Sequence, residues 1–223
     1  MSHVIYPPTQ PSIFGRIVSG HDVEQWCMTT IRKWFGTYLA EKEQQDGLTR
    51  GELQRPRGYV IAPSLDKWPE DQLPAVVLVS VGLAERPLKD GGGRYRGRWD
   101  MGVACVCSAR TQMESHANAQ RYMAALRDLF LQKPSLGGMA SGVDWQGEQY
   151  DQLDYDDLRS IDGGFGQFTV EVENIALAGG GPATPNEPLD PDTLPWPDWP
   201  VVQTPDVVVL KVDVIQPTKG GST

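Results

Sequence analysis

The residue types that carry most enzyme chemistry are sparse in this sequence and poorly spaced for it. The three histidines are His3, His21 and His116, and none has a partner at the spacing of a metal site or a catalytic triad. The sequence has no Gly-x-Ser-x-Gly, His-Glu-x-x-His or Gly-x-x-x-x-Gly-Lys pattern. We therefore expect no catalytic residues, no cofactor and no enzymatic activity.

Two further groups contain metal-binding residue types, but not in a metal-binding order. The run from Asp144 to Asp162 is rich in carboxylates, yet it does not follow the Asp-x-Asp-x-Asp-Gly order of a calcium loop. Cys105 and Cys107 have no second cysteine pair, and two residues on one strand face are poorly placed for a disulfide. We expect an acidic face, reduced and buried thiols, no bound metal, and synthesis in a cytosol.

The overall charge and hydropathy exclude some classes of partner. A net charge of -9 argues against a protein that wraps nucleic acid tightly, although not against a ring through which DNA slides. No apolar run approaches the roughly 20 residues of a membrane span. The first ten residues lack the basic start and apolar core of a signal peptide. We expect no membrane association.

The stretch Arg94–Gln132 organises the predicted fold. Charged and apolar residues alternate from Arg94, which predicts a strand with one buried face, and both faces become apolar before Cys107. Thr111 and Glu114 then form the Thr-x-x-Glu pattern of a capping box at the start of a helix. The apolar stripe of this helix is Ala119, Tyr122, Met123, Leu126, Leu129 and Phe130.

The remaining elements complete an α+β pattern. An aromatic-rich helix is predicted over Asp22–Gln44, with Asp22 as its N-cap and Gln25 completing the capping pattern. We expect an antiparallel or mixed β-sheet with two main helices packed on one face, a long charged β-hairpin, and an extended Pro-rich C-terminal arm ending in a strand. The other predicted strands are Tyr59–Ala62, Ala75–Leu83, Met139–Trp145 and Gly166–Leu177.

Composition divides the chain into four segments. Residues 1–19 predict an N-terminal arm and residues 20–181 an α+β core domain. Residues 182–206 hold many of the prolines and both Trp196 and Trp199, which predicts an extended linker. Residues 207–223 begin with a β-branched run that predicts a terminal strand, and a strand needs a sheet. That sheet belongs either to the same chain or to another one.

Two patches of opposite charge lie on the predicted core, one at a glycine-tipped hairpin and one in the acidic run. Each is either an ordinary solvated face or half of a contact between identical subunits, and head-to-tail contacts of that kind generate rings. The terminal strand is a third candidate contact, by addition to a neighbouring sheet. The candidate interface residues are Lys89, Arg94, Arg96, Arg98, Asp154, Asp156, Asp157, Val208, Leu210 and Val212.

The order of these elements resembles that of the tail terminator, or tail completion, proteins of long-tailed bacteriophages. The resemblance covers about Ser19–Ala178 and is one of architecture. It depends on the strand beginning Leu73-Pro74-Ala75-Val76-Val77, the hairpin Arg86–Trp99 and the helix His116–Leu131. Residues 182–223 depart from the smaller members of that family.

The resemblance implies a structural virion protein at the head-proximal end of a tail, assembled in the host cytoplasm. Such a protein forms a homohexameric ring that caps the tail tube and stops its polymerisation. Its partners would be further copies of itself, the tail tube protein and a head-side connector protein. DNA would pass through the lumen without specific binding, which suits an acidic wall.

Three alternatives remain open at this stage. The first is another head–tail connector or stopper, or a tail tube protein; two helices beside the sheet favour the terminator, because a tube protein would usually offer more strand and one helix. The second is a small hydrolase that uses Asp154 or Asp156. The third is a non-viral adaptor domain that uses its terminal strand for β-addition.

Overall fold

The computed structural model describes residues 18–63, 70–89, 91, 93–155 and 160–177. The chain separates into two units, Met1–Thr184 and Pro185–Thr223, and every described residue belongs to the first. Most of the predicted N-terminal arm, the Pro-rich linker and the C-terminal strand therefore lie outside the described residues.

The described part is an α+β fold, as predicted. Its sheet has the strand order β1-β2-β4-β6-β5, and β3 also pairs with β4. β1 runs parallel to β2, and the other pairs are antiparallel, so the sheet is mixed. The elements are α1 (Gly20–Gln45), β1 (Gly58–Ile61), a 3-10 turn (Glu70–Gln72), β2 (Ala75–Leu83), β3 (Leu88–Lys89), β4 (Arg94–Ala109), α2 (Gln112–Gln132), β5 (Gly142–Tyr155) and β6 (Ser160–Leu177).

Both helices pack on the same face of the sheet. The main core cluster joins Phe35 of α1 and Leu126 of α2 to Cys105 of β4, all of them buried. Side chains of a strand alternate between faces, so the buried Ala104 and Val106 lie on the opposite face, in two smaller apolar clusters. The predicted apolar stripe of α2 is confirmed, since each of its six residues is at most 2% exposed.

Helix α1 begins earlier than its sequence predicted. Its N-cap is Ser19 and not Asp22, which lies three residues further on in the first turn. The Ser19 hydroxyl accepts a hydrogen bond from the Asp22 backbone N–H at 3.2 Å, and the Asp22 carboxylate accepts one from the Ser19 backbone N–H at 2.7 Å. This reciprocal pair replaces the predicted capping pattern of Asp22 and Gln25.

The last two strands also differ from their predicted bounds. β5 runs over Gly142–Tyr155, so the acidic run beyond Trp145 forms most of a strand. β6 begins at Ser160 and not at Gly166. Gly163 and Gly164 interrupt the apolar pattern of the sequence, but their backbones pair regularly with β4, so the strand continues through them. The alternation of β6 places Thr169 on the face opposite Phe168 and Val170, and its side chain is nevertheless only 3% exposed.

Helix α2 lies directly on a part of β6 that has almost no side chains. A Cβ atom placed on Gly164 would lie 2.2 Å from Cγ of Met123 and 3.2 Å from the backbone oxygen of Ala119. Further along α2, the Phe130 ring stacks on Phe168 with centroids 4.6 Å apart. The absence of a side chain at Gly164 thus allows α2 to lie close to β6, and this short distance brings the rings of Phe130 and Phe168 into contact.

We predict that Gly164→Ala destabilises the protein by about 1–3 kcal/mol, because the added methyl group overpacks a buried contact that includes backbone. The measurement is the free energy of unfolding in urea. Gly147→Ala, in β5, is the matched control: nothing lies within 4 Å of its Cβ position, and its φ is not positive. Equal effects of the two substitutions would contradict the proposed close contact.

Candidate assembly interface

A charged hairpin extends past the N-terminal end of α1, as predicted from the sequence. Gly20, the first residue of α1, lies against Ser80 and Trp99. From Trp99 back to Arg94, β4 continues for five residues, which is about 17 Å of strand. In this stretch it pairs with β3 on one side and with the end of β6 on the other. The hairpin therefore presents charged residues beyond the start of the helix layer.

Two of the hairpin arginines bind acceptors within their own chain. Nη1 of Arg96 lies 3.4 Å from Oε1 of Glu171. Arg98 donates a hydrogen bond to Oγ1 of Thr169 at 3.1 Å, which explains why that threonine is buried. The sequence left these charges as either a solvated face or half of a contact between identical subunits; in the structure Arg96 and Arg98 lie beside carboxylates of the same chain.

Arg98 is the most connected of the predicted interface residues. Besides its hydrogen bond, its guanidinium lies 3.6 Å from the Glu85 carboxylate and 3.8 Å from that of Asp144. It thereby joins β4 to the loop before β3 and to β5. Lys89 of β3 and Arg94 of β4 have exposed side chains and are the hairpin cations closest to its tip.

The predicted acidic residues are only partly described. Asp154 lies in β5 opposite Ile161 of β6. Asp156 and Asp157 lie outside the described residues. The same is true of the three predicted residues of the terminal strand, Val208, Leu210 and Val212. The structure places Asp144 of the acidic run 3.8 Å from Arg98. Asp154 lies level with Ser108, at the other end of β4, so it is not brought together with the predicted arginines.

One carboxylate of the acidic run has a structural role. Glu148 accepts hydrogen bonds from Nη1 of Arg127 at 3.0 Å and from Nε1 of Trp145 at 3.1 Å, and a further one from the Tyr150 hydroxyl. Burial, together with the adjacent Glu148 carboxylate, raises the pKa of Tyr150 above its ordinary value. Glu148 therefore fastens β5 to α2, whereas Asp144 and Asp151 remain exposed on the same strand.

A second buried carboxylate pairs with a histidine for which the sequence indicated no partner. Asp162 is 1% exposed; its Oδ2 accepts a hydrogen bond from the Ser160 hydroxyl at 3.0 Å, and its Oδ1 lies 3.6 Å from Nδ1 of His116. The other ring nitrogen of His116 lies 3.3 Å from the Gln120 side-chain nitrogen. Because that nitrogen faces an amide and not a hydroxyl or thiol, this pair orients the start of α2 and activates no nucleophile.

The three cysteines are free and buried, as the sequence predicted. Burial raises the pKa of Cys27 and of Cys105 above the ordinary range. Burial and the nearby Asp162 raise the pKa of Cys107 to about 12, against a smaller lowering by its hydrogen bond with Ser115. Thiols held in this state are poor nucleophiles and poor metal ligands, so they serve as apolar packing groups.

An open groove of about 450 Å³ lies between α1 and α2. Trp34 forms one wall, with Nζ of Lys133 4.7 Å from its ring centroid. Within the described ranges there is no group of three His, Cys, Asp or Glu residues placed to hold a metal ion. In the same part of the chain, no helix has both the length and the apolar character needed to cross a membrane.

A basic edge is the main feature that the sequence analysis did not single out. Arg32, Arg55 and Arg57 have exposed side chains around β1, at the opposite end of the strand order from β5. The Arg55 side chain lies over Gly36, so that a methyl group placed on this glycine would be 3.1 Å from the arginine Nε. Two features of the sequence could have indicated this edge. One is the basic segment before Tyr59, and the other is Gly36, because a glycine inside a helix indicates that another group approaches it closely.

The comparisons with known proteins give little additional constraint. No family model matches the chain, and no curated protein matches it. Among solved structures, the chain is similar to a chain from the virion of a native gene transfer agent particle, with 18% identity and a TM-score of 0.36. The match covers 60% of this chain and 92% of that one. A TM-score this low does not establish a common fold, so the similarity carries no inference about function.

We predict that Arg98→Met lowers the free energy of unfolding by about 1 kcal/mol, because it removes a hydrogen bond to a buried hydroxyl and two weak ion pairs. Lys89→Met, on the same hairpin, is the control and should change stability by less than about 0.5 kcal/mol. Urea unfolding of both variants provides the measurement. If the Arg98→Met variant is as stable as the Lys89→Met variant, the contacts of Arg98 within the chain contribute nothing to the free energy of unfolding.

Proposed function

We propose that this protein is a structural component of a virion, the ring-forming tail terminator of a long-tailed bacteriophage. In this proposal it forms a homohexameric ring on the head-proximal end of the tail tube. The ring stops polymerisation of the tube protein and offers a surface to the head-side connector protein. Its partners are therefore further copies of itself and these two proteins, and DNA passes through its lumen without specific contacts.

The observation that carries the proposal is the hairpin beyond α1. In the hairpin, β4 pairs with β3 on one side and with the end of β6 on the other. Here β3 contributes only Leu88 and Lys89, and the stretch from Arg94 to Arg98 lies past the start of α1. A hairpin of this kind, exposed and charged, is suited to contact with a neighbouring subunit or with the ring below it.

The chemistry of the described core is consistent with assembly and offers no support for the hydrolase alternative. The buried carboxylates among the described residues, Glu24, Glu43 and Asp162, each accept a hydrogen bond from a neighbouring group, and so does the partly buried Glu148. Its thiols are buried. The sequence resemblance to tail terminators therefore remains the best account of an acidic chain with two helices on one face of a mixed sheet.

The direct test is a tube-capping assay with the purified full-length protein and the tail tube protein of the same virus. We expect rings in negative-stain images of the protein alone or bound to tubes, and tubes whose growth stops when the protein is added. Bovine serum albumin at the same concentration is the control for non-specific effects. A protein that polymerises into tubes by itself would be a tube protein, and one that binds neither tubes nor itself would contradict the proposal.

A second prediction concerns residues 182–223. We expect deletion of this segment to leave the core folded, because the sheet and both helices are complete by Leu177. The same deletion should weaken joining to the head-side partner, if the terminal strand adds to that partner's sheet. Circular dichroism melting checks the first part, and co-sedimentation with capped tubes and connector checks the second. Failure of the truncated core to fold would assign the strand to its own sheet.

A further inference from the structure

The outer edge of β1 is capped by an arginine. The Gly58 and Ala62 backbone N–H groups donate to residues of the β2 side, Pro74 and Leu78. Strand backbone groups alternate in direction, so those of Tyr59 point to the open side of the sheet. There, Nη2 of Arg32 donates a hydrogen bond to the Tyr59 carbonyl oxygen at 3.2 Å. A guanidinium group thus occupies one outward carbonyl of this edge, and its charge opposes the addition of a further strand.

Two more cations stand beside Arg32. The Arg32 guanidinium lies over the Tyr59 ring, 5.7 Å from its centroid, and the Arg55 side chain lies over Gly36 of the helix that contains Arg32. Arg57 follows on the same segment, and its Nη2 lies 3.4 Å from the Gln54 side-chain oxygen. Among the described residues, no carboxylate lies within 4.0 Å of any of these three guanidinium groups. We call Arg32, Arg55 and Arg57 the basic edge.

The opposite edge of the sheet is acidic. β5 has no Lys or Arg in its 14 residues but contains four carboxylates. Glu148 is bound internally, whereas the Asp144 side chain is 72% exposed and has only a long contact to Arg98 at 3.8 Å. Asp151 is exposed and forms no ion pair with a described residue. We call Asp144 and Asp151 the acidic edge.

We infer that the basic edge of one subunit docks against the acidic edge of the next copy of this chain. This inference rests on the ring of the proposed function and specifies its lateral contact. Two different patches at opposite ends of one strand order make a heterologous contact, which continues from subunit to subunit and closes into a ring. It differs from the contact considered in the sequence analysis, in which Lys89, Arg94, Arg96 and Arg98 of the hairpin supplied the positive charge.

A second copy fits the basic edge better than nucleic acid does. The chain has a net charge of -9, so its overall field repels phosphates, and three arginines supply little compensation. The acidic edge, in contrast, offers carboxylates that guanidinium groups bind with good geometry. The same pairing predicts that subunit association weakens as salt is raised, because exposed charges are screened beyond about 8 Å at physiological ionic strength.

Charge reversal tests this contact. The basic-edge variant carries Arg55→Glu and Arg57→Glu, and the acidic-edge variant carries Asp144→Lys and Asp151→Lys; Arg32 is retained because it caps β1. We expect each full-length variant alone to associate at least about tenfold more weakly than the wild type, which corresponds to about 1.4 kcal/mol. Sedimentation velocity measures association, with circular dichroism to confirm that both variants are folded.

Mixing the two variants gives the decisive result. One variant has two acidic edges and the other has two basic edges, so alternating rings should form in the mixture although neither variant assembles alone. The variant with all four reversals should assemble by itself. Arg110→Glu, after the end of the central strand β4, is the control for a charge change elsewhere and should leave association unchanged.

The outcomes separate this inference from the proposed function. If both reversed variants still form rings like those of the wild type, or if the two variants fail to assemble when mixed, the inference is overturned. Neither result would contradict the proposed ring itself. A wild-type chain that stays monomeric at high concentration and on tail tubes would overturn both. Loss of binding to a DNA oligonucleotide in the basic-edge variant, with association unchanged, would assign that edge to nucleic acid and also overturn the inference.

Discussion

The close contact between α2 and the glycine-bearing part of β6 is the constraint on which the rest of the core depends. Met123 and Ala119 fill the space that a side chain would need at Gly164, so the helix lies nearly on the strand. That short distance allows Phe130 to stack on Phe168, and the Trp145 ring stacks on Phe168 in turn with centroids 5.6 Å apart. β5 is thereby fixed against the same helix, and α1 covers the other half of the sheet. Since interiors are packed at the density of organic crystals, a change at this contact cannot be absorbed locally.

Periodicity in the sequence was sufficient where an element has one buried face. It predicted the stripe of α2, the bounds of β2 and the two-sided burial of the end of β4. It failed for β6, because Gly163 and Gly164 contribute no apolar side chain and their role is visible only once α2 is placed above them. It also failed at the start of α1, where Ser19 and Asp22 are both good N-caps. The helix begins one turn earlier than predicted because Gly20 contacts Ser80 and Trp99. These residues are far from Gly20 in the sequence, so a local sequence pattern does not indicate the contact.

Charge is the property that the sequence predicted least well. It showed where arginines and carboxylates cluster, but whether a charge is free depends on neighbours far along the chain. Arg98 and Thr169 are 71 positions apart, and their hydrogen bond removes part of the hairpin's charge from the surface. Of the arginines around β1, Arg55 and Arg57 lie in a polar segment and Arg32 lies in α1. They stand out only because no described carboxylate lies within 4.0 Å of their guanidinium groups.

The two edges of the sheet show how such a protein can associate without extending its sheet from copy to copy. At one edge Arg32 occupies an outward carbonyl of β1, and Glu24 accepts the Ser80 backbone N–H beyond the last β1–β2 pair. At the other edge, β5 has irregular pairing between Trp145 and Gly147 and again near its end. Capping residues, bulges and charges all oppose addition of a strand. In the proposed ring, contact at these edges would therefore be made by side chains. The rotation that this contact sets between neighbouring subunits decides whether the assembly closes into a ring or continues as an open fibre.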